Sequence, residues 1–430
     1  MKFIATPVKG MNDFLPQEMR LRQHVLRMIR DTYARYGFDE IETPCMEHIE
    51  NLTGKVGGEN EKLIFKVMKR GRELEKGLAT GEIADSGMRY DLTVPLARFY
   101  AKNRNELPTP LKALQIGNVW RADNPQKGRF RQFTQCDIDI IGDGSIMAEI
   151  ELIAATSGML TRIFSEVGVS EFTVHINDRR ILKAMAASAG FTPDQYDDVF
   201  ITLDKMDKIG LDGVKKMLVE HGYAAETVEK YTGMFEAPYS GEEDHGCASS
   251  CSGFCAKTCA DTLDPSVAAG MDTILGSVQK MIAPGVHLKF DPTLVRGMSY
   301  YTGTIFEISI DGYNFSIAGG GRYDEMIGRF SNQPAPACGF SIGFERIVTI
   351  LRDLNWQDPG VAVNHMAFLV DEKIPAEKLT AVFEKATALR DAGNVVTVQP
   401  LKKNAKFQVE TLEKNGYTQI RKIYADTELS

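Results

Sequence analysis

Two strand-like runs separated by one short polar turn constrain this chain more than any other feature. "ALQIGNVWRA" (113–122) leads into Asp123, Asn124, Pro125, Gln126, Lys127 and Gly128, and "FRQFTQCDIDIIG" (130–142) returns. Runs joined this closely pair as an antiparallel hairpin, since a parallel return needs a long crossover. The side chains of Arg129, Arg131, Gln135, Asp137 and Asp139 recur at period 2 and fall on one face. A solvated hairpin face carries charges too. Several arginines facing a glutamine and an aspartate are better explained by a triphosphate beside a polar substrate. Arg121 is carried into the turn by the first run.

Further runs extend the sheet. Residues 63–68, 172–176, 286–290, 303–309, 313–318 and 337–343 read as strands of a mostly antiparallel sheet. Helices are expected at 16–36, 90–102 and 146–167. In the first of them Leu21, Val25, Leu26, Met28, Ile29, Tyr33 and Tyr36 recur near helical spacing. The strand "FDEIETPCME" is interrupted by Pro44, which suits a strand end or an edge at an interface. Residues 178–283 look helical and read as an insertion between two halves of the sheet domain. "DLNWQDPGV" (353–361) is a linker. After it "HMAFLV", a helix at 375–392 and "NVVTVQP" make a βαβ unit. The expected class is α+β, divided as 1–177 and 284–352 for the sheet domain, 178–283 for the insertion and 361–430 for a short C-terminal α/β domain.

Other stretches carry chemistry. In "MRYDLTVPLARF" (88–99), Asp91 and Thr93 stand on one side of an extended segment and suit an ammonium group. Either residue equally suits the cap of the helix that follows, with Pro95 in its first turn. In "AGGGRYDEMIGRF" (318–330), three glycines let a backbone approach a ligand closely, or make a tight turn into a helix. No GK[ST] follows, so this is not a P-loop. In "ACGFSIGFERIVTIL" (337–351), Arg346 falls in the first turn of a helix. A cation is unfavourable there against the helix dipole, so a nearby anion explains it better than chance. In "LVRGMSYYTGTIFE" (294–307), Arg296 suits a phosphate or carboxylate. Tyr300 and Tyr301 point to opposite faces if the strand is regular. Both line one pocket only if the backbone is distorted, with Gly297 or Gly303 the expected place.

Cys247, Cys251, Cys255 and Cys259 repeat every four residues. On one continuous helix the outer two lie about 18 Å apart, too far to share one ion. A break at Gly253 would fold the ends together, so zinc and simple helix thiols both stay open. An odd seven cysteines in a 430-residue chain suggest a reducing compartment. The chain shows neither a membrane-length apolar run nor a signal-peptide pattern at its start, and a cytoplasmic location is expected. The net charge of −8 argues mildly against a dedicated nucleic-acid binder, although local basic patches decide phosphate contact.

In this order the motifs resemble the class II aminoacyl-tRNA synthetases, and more closely the histidyl-tRNA synthetase family. "FDEIETP", "VWRADNP…RFRQFTQCDIDIIG" and "GFSIGFERI" resemble the three class motifs, and "LVRGMSYYTGTIFE" and "AGGGRYD" the histidine-specific signatures. The resemblance implies a homodimer that uses ATP, with Mg²⁺ accompanying it, to join L-histidine to tRNA(His). It implies that Asp91, Thr93 and Gln135 hold the amino group, and that Asp139, Tyr301 and Tyr300 line the imidazole side. Arg121 would contact the α-phosphate and the histidine carboxylate, Arg129 and Arg346 the distal phosphates, and Arg296 the charge on the α-phosphate during attack. Ser299 stands where the signature commonly has an acidic residue. The tail is expected to be short against the family's anticodon-binding domain of about five strands and three helices, because nothing after "NVVTVQP" reads as a further strand. Two other readings fit the same motifs: a non-catalytic ATP phosphoribosyltransferase regulatory subunit that senses histidine, and a paralogue that passes histidyl-adenylate to another acceptor.

Overall fold

The structure, a computed structural model, describes residues 3–53, 58–126, 128–236, 251–295, 300–357 and 364–429. In chain order the strands are β1 (Asp39–Ile41), β2 (Met46–His48), β3 (Lys66–Met68), β4 (Ala84–Met88), β5 (Leu111–Trp120), β6 (Gln132–Ile141), β7 (Phe172–Asp178), β8 (Val286–Phe290), β9 (Thr304–Ser309), β10 (Ala318–Arg322), β11 (Ala337–Ile342), β12 (His365–Val370), β13 (Val395–Pro400) and β14 (Gln419–Ile423). The chain divides into two compact units, Met1–Asp13 with Gln23–Asn355, and Phe14–Arg22 with Trp356–Ser430. Among the described residues no helix is long and apolar enough to cross a membrane.

The first unit is built on an eight-stranded sheet in the order β1-β5-β6-β11-β10-β9-β7-β8. The long hairpin is its centre: β5 and β6 pair antiparallel from Leu111 opposite Ile141 to Trp120 opposite Gln132. Only the outermost pairs, β1 with β5 and β7 with β8, are parallel. Ile138, Ile140, Phe340 and Ile342 are fully buried, and the helix Met147–Ser165 buries Leu152, Ile153, Met159, Leu160, Ile163 and Phe164. Among the described residues, six α-helices between Arg179 and Val278 lie on the connection from β7 to β8. Asp178 starts them by accepting a hydrogen bond from the Arg180 backbone N–H. A small sheet, β2-β4-β3, stands beside the large one.

The glycine run departs from the sequence expectation. Residues 313–317 are not a strand, and the glycines form strand β10, between β9 and β11, in place of the alternative tight turn. A Cβ on Gly320 would lie 2.0 Å from the Gly339 carbonyl oxygen, and one on Gly321 would lie 2.5 Å from that of Thr304. Glycine is required because neighbouring backbones crowd this strand, not because it turns. Arg322 ends β10 in a buried two-bond pair with Glu149, at 2.7 and 2.6 Å. That pair ties the strand to the helix Met147–Ser165.

The second unit also departs from expectation. Beyond β13 the chain forms the helix Ala405–Lys414 and a third strand, β14, giving a parallel sheet in the order β13-β12-β14. Met366, Phe368 and Val370 pack on one side with Val382, Ala386, Val396 and Ile423. Ala367 and Leu369 pack on the other with Leu412. Two covered faces leave β12 apolar from Met366 to Val370, as expected of a central parallel strand.

Candidate active site

A cavity of about 260 Å³ opens over the face of β6, β10 and β11. Period 2 along β6 delivers Phe133, Gln135, Asp137 and Asp139 to it. Across the sheet, Gly339 is the register partner of Asp139. A Cβ on Gly339 would meet the Asp139 carboxylate at 1.9 Å, so glycine there makes room for the acid.

One end of the cavity is acidic and hydroxylic. Asp91 lines it while accepting a 3.0 Å hydrogen bond from the Val94 N–H at the start of the helix Thr93–Asn103. The capping and pocket readings of this residue are both realised. Burial raises its pKa, opposed by the Val94 N–H and by Arg121. Gln135 donates to Ser341 Oγ at 2.8 Å, and its own Oε1 is buried with no partner in the protein. Asp139 accepts a 2.5 Å hydrogen bond from the Tyr323 hydroxyl, and its Oδ2 is likewise buried and unpartnered. Burial pushes the Asp139 carboxyl up to about 7 against the lowering effect of Tyr323. The Asp137 carboxyl is also raised well above the ordinary carboxylate range, first by burial and then by Asp139.

Tyr300 and Tyr301 both line the cavity, with ring centroids 4.8 Å apart. Strict alternation does not separate them because β9 begins only at Thr304, so residues 300–303 are outside the strand. The distortion expected at Gly303 is therefore unnecessary. Gly297 and Arg296 lie outside the described residues.

The other end is cationic. Arg121, Arg129 and Arg346 line it with Asp123 and Glu345. Arg121 donates from Nε to the Tyr90 carbonyl at 3.2 Å, and its guanidinium lies over the rings of Tyr90 and Phe133. Arg129 pairs with Asp123 at 3.1 Å and is half exposed. Arg346 donates to the Ser316 carbonyl at 2.5 Å. Arg131, read on the same face, does not line the cavity; it donates to the Asp123 carbonyl at 3.0 Å. Asp137 and Tyr323 were not assigned roles from sequence. The period-2 run contained the signal for Asp137, whereas Tyr323 follows the misread glycine strand.

Cys251, Cys255 and Cys259 lie on and just after the helix Cys251–Thr258. Among the described residues no group of three or more His, Cys, Asp or Glu side chains is arranged to hold a metal ion. The three cysteines are buried, and Cys251 Sγ is 3.7 Å from Cys255 Sγ. Thiol–thiol hydrogen bonding, chiefly with Cys251, pushes Cys255 up to about 12. Cys247 lies outside the described residues.

The raised Asp139 carboxyl has a testable consequence. A carboxyl that titrates higher in the folded chain than in the unfolded one takes up its proton on folding at intermediate pH. Its charged form therefore costs stability as pH rises from about 4 through 7. Asp139→Asn is expected to stabilise the protein by about 2 kcal/mol at pH 8, some of the gain being lost to burying the new amide. Denaturation midpoints at pH 8 and pH 4 check this, and the gain should vanish at pH 4.

Comparison with known proteins was made on the sequence and on the fold. The family described as histidyl-tRNA synthetase matches residues 10–347. A histidine–tRNA ligase of Leifsonia xyli subsp. xyli is 41% identical over 98% of this chain and 96% of its own length. The crystal structure of histidyl-tRNA synthetase from Nostoc sp. PCC 7120 superposes with a TM-score of 0.76 at 27% identity, covering 96% of this chain and 90% of that one. A Bacillus halodurans structure described as an ATP phosphoribosyltransferase regulatory subunit/histidyl-tRNA synthetase gives the same TM-score at 22% identity, covering 98% and 99% of the two chains, and shares the fold.

Proposed function

The chain belongs to the histidyl-tRNA synthetase family, an aminoacyl-tRNA ligase family, and from that premise we propose how this cavity performs the reaction. The histidine carboxylate attacks the α-phosphorus of ATP. A new P–O bond forms, the bond to pyrophosphate breaks, and histidyl-adenylate results. The 3′-terminal ribose hydroxyl of tRNA(His) then attacks the adenylate carbonyl and releases AMP.

The observation that carries this reading is that one cavity is lined both by buried acids with Gln135 and by three arginines. Asp91, Thr93 and Gln135 serve the amino group. Asp139 serves the imidazole, with Tyr301 and Tyr300 beside it. The unpartnered Asp139 Oδ2 suits an N–H donor of the ring. Arg121 holds the α-phosphate and the histidine carboxylate, while Arg129 and Arg346 hold the distal phosphates. Arg296 takes the charge on the α-phosphate. The carboxylate is already ionised, so fixed guanidinium groups, rather than an acid or base, do most of the work. Asp123 and Glu345 are hard oxygen donors at the phosphate end and fit Mg²⁺ held mainly by ATP, which would offset phosphate charge there.

A homodimer is supported by the edge position of the short β1, with Pro44 just beyond it. Sedimentation at micromolar concentration tests it. The cytoplasm is the proposed place of action.

Histidine-dependent ATP–pyrophosphate exchange is the decisive assay. Absence of exchange would leave the histidine-sensing regulatory reading in its place. Exchange without charging of a tRNA(His) transcript would point to another acceptor.

A further inference from the structure

An ammonium group has three N–H donors and needs three acceptors when buried. The acidic end of the cavity offers two from the set read in sequence: the Asp91 carboxylate and the unpartnered Gln135 Oε1. Thr93 is the third member of that set, and its hydroxyl also hydrogen-bonds Tyr300. None but Asp91 carries a charge, and the structure puts a second carboxylate beside them.

Asp137 is two residues along β6 from Gln135, on the same face, and only 3% exposed. Its register partner across β11 is Ser341. Gln135 Nε2 donates to Ser341 Oγ at 2.8 Å, and the Ser341 hydroxyl donates on to Asp137. Gln135 Nε2 stays 3.4 and 3.5 Å from the two carboxylate oxygens, which makes a poor bond. The acid is thus served by one good donor, and it is close enough to Asp91 and Asp139 to feel both. Arg121 is the protein cation that offsets it. A buried acid so poorly served is costly to keep unless a ligand brings a cation.

We propose that Asp137 is a further, charged acceptor for the substrate's α-ammonium group, beside Asp91, Thr93 and Gln135, and so enforces the demand for a free amino group. The inference rests on the functional reading above, which already assigns Asp91 and Gln135 to that group. The chain Gln135–Ser341–Asp137 fixes both acceptors at once. Ser341 orients the amide so that Oε1, not Nε2, faces the ligand, and it holds the carboxylate alongside. A ligand without the ammonium group leaves these buried acceptors unpaired beneath it, which is how polar pockets reject analogues.

Calorimetric titration with two ligands tests this. Histidinol keeps the amino group and lacks the carboxylate. 3-(Imidazol-4-yl)propionate keeps the ring and the carboxylate and lacks the amino group. Asp137→Asn is expected to weaken histidinol about 10–100-fold, the range for losing a charged hydrogen bond. Binding of the des-amino ligand should be unchanged or tighter. In exchange, KM for histidine should rise with little change in KM for ATP. Asp137→Ala leaves Gln135 and Ser341 to bond each other, and it gives the same comparison independently of how the new amide orients. Parallel weakening of both ligands, or no change for histidinol, would overturn the assignment. Wild-type protein lacking histidine-dependent exchange would instead refute the functional reading, before Asp137 is altered.

Discussion

Arg121→Ala is expected to lower kcat for histidine-dependent exchange by about 10³-fold, at the upper end of what removal of one preorganised donor costs. The size follows from how the side chain is held. Its Nε is tied to the Tyr90 carbonyl, and its plane lies over Tyr90 and Phe133, with the guanidinium carbon 4.3 and 5.1 Å from the ring centroids. The guanidinium is therefore positioned before substrate arrives, and no reorganisation is needed during attack. Arg121→Lys restores the charge but neither the planar fork nor the stacking, and should still lose about 10²-fold. Arg121 also lowers the pKa of Asp91 and Asp137, so histidine affinity in Arg121→Ala should weaken more at low pH than at high pH. Pre-steady-state adenylate formation separates the two effects. A loss below tenfold would remove Arg121 from the chemical step.

Gly320→Ala is expected to destabilise the first unit by about 3 kcal/mol or more, beyond the ordinary range for overpacking. The added methyl would lie 2.0 Å from the Gly339 oxygen and 2.8 Å from both Phe340 Cα and the Phe306 ring. Two of these three atoms belong to the backbone of β11 and cannot move without parting β10 from β11. Chemical denaturation monitored by circular dichroism measures the loss. Gly276→Ala is the control, because nothing lies within 4 Å of its added Cβ. Similar midpoints for the two variants would show that the sheet yields more easily than its register implies.

The hairpin was legible because a half-polar strand states its own periodicity. Gln135, Asp137 and Asp139 alternate with Cys136, Ile138 and Ile140, and the cavity face follows directly. The strand Ala318–Arg322 was illegible for the opposite reason. Glycine shows no alternation, and what demands glycine there is the Gly339 and Thr304 carbonyls on the two neighbouring strands, beyond the reach of any local rule. In the tail, Gln419–Ile423 reads "QIRKI", an edge strand whose polar side chains hide it. The Tyr300–Tyr301 pair was read correctly as a geometric conflict, but the resolution lay in where the strand begins. A period is informative only inside an element whose ends are known.

The helices between β7 and β8 join neighbouring parallel strands. A return of this kind must travel back along about five residues of strand, roughly 17 Å. The helix Arg179–Ala189, with eleven residues, already spans about 16 Å. The sheet's geometry is thus met by the first helix of the excursion. The described helices that follow are surplus to closure, and their length and sequence are free to drift or be exchanged without re-registering a single strand pair around the cavity.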